Sequence, residues 1–290
     1  MENNYDFAME RRLRELDVDL HTRFTDAVFA LQNILSNYKL IFPDYTDHSE
    51  LHALNVIDFC NQIIGDELMY MNADEIYCLL LGCYFHDTGM GISHKDFEQF
   101  SKEIDFGNYF ETHSKDDYSR IVRDFHNEFS GKFILKYADL FEIPSDKHLR
   151  AIIQIARGHR KTDLKNTLEY PLDYKVDNGN TICLPYLSAI IRLADEIDIS
   201  AARNSHLLFE IPTVITDRQS AIFFEHEAVK QMLVEKDRFV VVYHTDNDEV
   251  AKNLDVLISK MQDTLDVCTA ATNGRTIYRI NQKTIVRKKL

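Results

Sequence analysis

A histidine followed at once by an aspartate, His86-Asp87 in LLLGCYFHDTGMG, offers a divalent cation an imidazole and a carboxylate from adjacent positions. The pair follows the apolar run 76–85, so it emerges from a buried element, where an uncompensated carboxylate is costly. The plain alternative is that Asp87 opens a turn into Thr88-Gly89. A metal ion answers the buried charge and is the favoured reading. Groups of the same chemistry are spread along the chain: His48 and His52 before the pair, His126 and His159 after it, then Asp195 in IIRLADEIDIS. Together with the pair they make a plausible metal site.

Each member also has an ordinary structural explanation. His48 and His52 are four apart, so on a helix both project from one face. They can share a metal, or one can bind it while the other moves protons; alone they would read as polar residues at a helix start capped by Asp47. Asp195 shares a stripe with Ile191 and faces the core side of its helix. An internal ion pair of Arg192 with Asp195 or Glu196 is its alternative. Asp198, three residues on, suits a supporting role behind a ligand or a contact to substrate. His126 and His159 each end or interrupt an apolar helical stretch, where a histidine can also be satisfied by a backbone carbonyl. Their value is collective: they supply what a second ion needs. Arg160, Lys161 and Arg203 are candidate phosphate contacts, Lys161 being the nearest of the three to plain surface charge. His94, His113 and His148 sit in polar surroundings and read as surface residues, and His206, His226 and His244 are assigned no chemistry. There is no P-loop, no G-x-G-x-x-G and no G-x-S-x-G elbow.

These residues need elements to position them. Only nine glycines and five prolines occur in 290 residues, so long stretches can run as helix without interruption. Apolar periodicity predicts a helix over 6–38 (Leu13, Leu16, Leu20, Phe24, Val28, Leu31, Leu35), broken at Pro43-Asp44. Helices are predicted at 49–64, ending at Gly65, and at 73–85 behind an Asn72 N-cap, which leaves His86-Asp87 at a helix C-terminus. Further helices are predicted at 93–104, 115–129, 131–141, 146–157 and 183–199, with a long loop over 161–180. After residue 204 the pattern changes. Strands are predicted at 206–215 and 238–244, a long helix at 248–272, and a terminal hairpin from 276–280 and 284–287. The expected fold is mainly α: a helical domain over 1–204 and a small α+β segment over 205–290.

Composition narrows the function. With 47 acidic against 33 basic residues the formal charge is −14, which argues against extended nucleic-acid binding. Five cysteines without C-x-x-C spacing read as buried free thiols in a reducing compartment. The charged first residues carry no apolar signal core, and no window reaches the length of a membrane span. A soluble cytoplasmic protein is expected.

The order His52, His86-Asp87, Asp195 resembles the HD-domain superfamily of metal-dependent phosphohydrolases. HALNV at His52 looks like the first motif of that family and RLADEIDIS like its last. The resemblance covers residues 45–204 and implies an HD-type helical bundle in which His52, His86, Asp87 and Asp195 ligate a divalent metal. It implies further that His126 and His159 hold a second one. His48 precedes His52 by the spacing that, in cyclic-nucleotide phosphodiesterases of this superfamily, places a proton-donating histidine. The H-D…G-Y-P pattern of cyclic-dinucleotide hydrolysis is lacking, and the HD subgroup predicted in bacterial conflict systems is also similar.

The expected function is hydrolysis of a phosphoester or phosphoanhydride, above all of a nucleotide, by metal-activated water. Phosphatase, triphosphohydrolase and phosphodiesterase action all remain open. Mixed N/O ligands suit Mn2+, Fe2+, Co2+, Ni2+ or Zn2+ better than Mg2+. The expected partner is a small phosphorylated substrate, with no membrane and with homo-oligomerisation left open. The alternative is a non-catalytic module built on an HD fold that senses a nucleotide or binds a protein.

Overall fold

The computed structural model of the chain describes residues 7–35, 50–199 and 228–290. His48, Arg203, the break at Pro43-Asp44, the boundary near residue 204 and the strand predicted at 206–215 lie outside the described residues.

The first helices are α1 (Ala8–Leu16), α2 (Val18–Leu35), α3 (Glu50–Ile64) and α4 (Ala73–Phe85). The single helix predicted over 6–38 is therefore two. The chain turns at Asp17 (φ −156°, ψ 104°), whose Oδ1 accepts from Leu20 N at 2.9 Å and starts α2. The apolar stripe runs on across this break, so periodicity alone does not reveal it.

Helix α4 is the centre of the molecule. Every residue from Asp74 to Phe85 is buried, as expected of a helix that is apolar on all sides. Each fully buried leucine of its 79–81 run contributes roughly 1.5–3 kcal/mol. Asn72 and Glu75 close a capping box at its start, Asn72 Oδ1 accepting from Glu75 N and Glu75 Oε2 from Asn72 N. The helices packed around it include α1, α2, α3, α7 (Asp146–Gly158) and α8 (Leu184–Ile197).

Between these lie α5 (His94–Phe100) and α6 (Tyr118–Lys136). The break predicted at Gly131 is absent, and α6 runs through it with a kink at Phe125 instead (φ −124°, ψ 17°). Gly131 answers a packing need: a Cβ there would stand 2.9 Å from Arg157 Cδ. The long loop over 161–180 contains β1 (Tyr174–Lys175), which pairs antiparallel with β2 (Thr181–Ile182). His148, expected at the surface, is buried on α7 with its Nε2 2.7 Å from Asp74 Oδ1.

The C-terminal part holds β3 (Val229–Val234), β4 (Arg238–Tyr243), the long helix α9 (Asp248–Thr272) and β5 (Thr284–Lys289). Strand β3 is antiparallel to β4, with Met232 opposite Val241. The predicted terminal hairpin does not form. Residues 276–280 are not a strand, and β5 pairs parallel to β4, with Phe239 opposite Ile285. Helix α9 supplies the long crossover that a parallel pair requires, and it packs on α8. Strand β3 escapes the sequence pattern because Lys230-Gln231 interrupts the alternation where the register shifts. The fold is thus mainly α, with small sheets toward the C-terminus. No helix among the described residues is long and apolar enough to cross a membrane.

Candidate metal centre

Five helices, α3, α4, α6, α7 and α8, bring residues to one point at the C-terminal end of α4. His52 reaches it from the buried face of α3. His86 continues the helical backbone of α4 by one residue, donating its N–H to Gly82 O at 2.9 Å, and Asp87 then turns the chain (φ −103°, ψ 5°). Ser130 of α6 fixes this corner, donating to His86 O at 2.6 Å and accepting from Gly89 N at 2.8 Å. His126 follows directly on the kink at Phe125, and His159 directly on the end of α7.

Three of the four histidines are held by one device. A helix end or kink leaves backbone carbonyls without an intrahelical partner. The Nδ1 of His86 lies 2.7 Å from Cys83 O, that of His126 2.7 Å from Arg123 O, and that of His159 bonds Ala156 O, each three residues back. His52 Nδ1 instead lies 2.7 Å from Asp198 Oδ2. A carbonyl or carboxylate can only accept, so each Nδ1 carries the proton and each Nε2 presents a lone pair.

Those lone pairs converge. His52 and His86 Nε2 are 3.1 Å apart, and His126 and His159 Nε2 are 2.8 Å apart. Asp87 lies between the two pairs. Its Oδ2 is 3.4 Å from His52 Nε2 and 3.3 Å from His86 Nε2, while its Oδ1 is 3.3 Å from His126 Nε2 and 3.8 Å from His159 Nε2. Asp195 Oδ1 completes the first group at 3.2 Å from His52 Nε2 and 3.9 Å from His86 Nε2. The two triplets His52–His86–Asp87 and Asp87–His126–His159 each keep their ligand atoms within 4.8 Å of one another.

Acceptors facing acceptors in a buried site could be reconciled by a cation. A proton on His52 would close the first group. It would not close the second, because burial pushes the His159 imidazole down to about 4, with the neighbouring His86 adding to the shift. Burial also holds His126 well below its ordinary value, assisted by the Arg160 charge. Burial alone would raise the Asp195 carboxyl. Positive charge at the His52–His86 pair, whether a proton there or an ion in its place, reverses this and holds it far below the usual carboxylate range. Neutral imidazoles and ionised carboxylates are the forms in which these groups bind metal. The donor set fits divalent ions.

A family model, HD-CE, matches residues 42–268, which takes in all six residues and the elements that carry them. The chain belongs to the HD-CE family. The HD-CE match runs past residue 204 through β3 and β4 into α9. No curated protein and no solved structure matches the chain.

The remaining predicted site residues fall in different places. Arg160 is at the edge of the centre, its Nη1 3.3 Å from His126 Nδ1 and 3.4 Å from Arg123 O. Lys161 turns away, donating to Asp124 O at 3.2 Å and lining a separate cavity of about 320 Å³ with Asp124, Phe125 and Asn127. None of the six ligand candidates lines that cavity. Asp198 is 1% exposed behind His52. Arg192 pairs with neither Asp195 nor Glu196; it bonds Gly158 O and Thr162. Ser130 went unnoticed in the sequence, where nothing marks a serine in mid-helix as a partner of His86.

Proposed function

We propose that this protein is a metal-dependent phosphohydrolase acting on a phosphoester or phosphoanhydride, with nucleotides as the substrate class. The observation that carries it is the pairing of four imidazole lone pairs around one carboxylate that faces both pairs. His52, His86, Asp195 and Asp87 Oδ2 would hold one divalent ion, and Asp87 Oδ1, His126 and His159 a second. Such ions supply Lewis acidity, lowering the pKa of water and neutralising phosphoryl charge. The mixed N/O character of these ligands suits Mn2+, Fe2+, Co2+, Ni2+ or Zn2+ better than an all-oxygen Mg2+ site.

The chain's own residues then have distinct tasks. Asp198 fixes the tautomer and orientation of His52. Asp195, 22% exposed against 4% for Asp87, marks the side from which substrate approaches. Of the two described candidates, Arg160 is better placed than Lys161 to meet a substrate phosphate, and Arg203 is kept as a candidate from the sequence alone. His48 is assigned protonation of the leaving oxygen.

A panel of nucleoside triphosphates, monophosphates and cyclic nucleotides, each with added Mn2+, Ni2+, Co2+ or Mg2+, tests this. Expected is metal-dependent turnover that a chelator stops. The product (triphosphate, orthophosphate or ring-opened monophosphate) identifies the bond cleaved. Tight nucleotide binding without turnover under every metal would refute the proposal and favour a sensing module.

A further inference from the structure

Arg192 lies on α8 one turn before Asp195, and its side chain is buried. Its Nε donates to Gly158 O at 2.7 Å, and its Nη2 to Thr162 O at 2.9 Å and Thr162 Oγ1 at 3.0 Å. No described carboxylate pairs with it. A guanidinium taken out of water and given only neutral acceptors is costly to the fold, so its position calls for a reason.

The residues it spans supply one. Gly158 and Thr162 bracket His159, Arg160 and Lys161, which include a candidate ligand and the candidate phosphate contact. Lys161 is left-handed (φ +46°), and Thr162 N bonds back to Arg160 O in a tight turn. Such a conformation in a non-glycine residue is strained and persists only where its surroundings over-determine it. Tyr170 OH donates to Thr162 Oγ1 at 2.9 Å from within the core. Helix α7 also presses onto α8 at this end, where a Cβ on Gly158 would stand 2.5 Å from Ser188 Cβ. The planar fork of an arginine bridges two carbonyls four residues apart; the single ammonium of a lysine does not.

We propose that Arg192 is a positioning residue for the second half of the metal centre. Its fork holds the turn from Gly158 to Thr162 so that His159 Nε2 stays against His126 and Asp87, and Arg160 stays beside His126. The His52–His86 half takes its imidazoles from α3 and α4 and its Asp195 from the helical backbone of α8, not from the turn that Arg192 holds. This rests on the two-ion proposal above.

Equilibrium dialysis of the full chain against Mn2+, with thermal melts of each sample, tests the inference. The unsubstituted chain is expected to show two classes of site. Arg192→Lys weakens one class by about 10–100-fold, the range found when a supporting partner of a metal ligand is lost, and leaves the other within about twofold. In a His126→Ala background, where the second class is already gone, Arg192→Lys has no further effect on the remaining affinity. Unchanged affinities, equal loss in both classes, or a further loss in the His126→Ala background would overturn the inference. Should Arg192→Lys not fold, Thr162→Val carries the test. A several-fold loss confined to one class supports the inference, and equal loss or none overturns it. Failure of the two-ion proposal itself has a different signature: the unsubstituted chain would not show two classes of Mn2+ site.

Discussion

The two ends of α4 bury nearly the same residue types and use them in opposite ways. At the N-terminal end, Asp74 accepts from His148 Nε2 at 2.7 Å, Asn180 Nδ2 at 2.7 Å and Asn178 Nδ2 at 3.0 Å. Glu75 beside it accepts from Asn72 N, Cys183 N and Tyr278 OH. Every acceptor there meets a protein donor. At the C-terminal end, His86 and Asp87 meet the Nε2 atoms of His52, His126 and His159, which the Nδ1 hydrogen bonds leave as acceptors. Residue type does not separate a structural cluster from a binding site; the balance of donors and acceptors does. A closed cluster stabilises the fold by itself, and one in which acceptors face one another could hold a cation.

The sharpest way to break this comparison is to substitute one aspartate at each end. Asp87→Ala removes the carboxylate common to both triplets. Bound transition metal and metal-dependent hydrolysis are expected to fall to background, with the circular-dichroism spectrum unchanged. Retained turnover in that variant would refute the ligand assignment. Asp74→Asn puts an amide N–H2 against three donors. Breaking a buried pair of this kind is expected to cost about 3–5 kcal/mol in urea unfolding, while metal content per folded chain stays as in the unsubstituted protein. Loss of metal in step with stability would show that the two ends are not independent.

A smaller effect sharpens the same contrast. Burial would raise the Asp74 carboxyl, but the bonds from His148, Asn180 and Asn178 outweigh it and bring it from the usual value of 3.8 to about 2. A carboxyl depressed in the folded state contributes stability that is present above its unfolded pKa and is lost as pH falls through its folded one. On the order of 1–2 kcal/mol is therefore expected to disappear between about pH 4 and pH 2. Comparing unfolding midpoints of the unsubstituted chain and Asp74→Asn across that window isolates it. An equal slope in both proteins would remove Asp74 as the cause.

Much of the fold was legible in the sequence where local chemistry decides it. Asn72 and the apolar run behind it fix α4, and the 248–272 periodicity gives α9 residue for residue. Pairings between distant segments were not legible. Strand β5 is parallel to β4 because α9 intervenes, and the terminal hairpin of 276–280 with 284–287 is expected only while that long-range pairing is left out. At the centre, spacing and residue type pointed to the six residues, and the structure places them together. What spacing does not carry is the set of carbonyls and side chains that fix the imidazoles: Cys83 O, Arg123 O, Ala156 O and Asp198 depend on where helices end or kink. His148 shows the reverse error. Its polar sequence neighbours are exposed on α7 while it turns inward to Asp74.

Elemental analysis of the chain purified without chelators, then saturated with Mn2+ and desalted, tests the central claim most directly. Four converging lone pairs around the Asp87 carboxylate predict two equivalents of transition metal per chain, falling to one in His126→Ala. A chain that retains no metal after saturation would contradict the account.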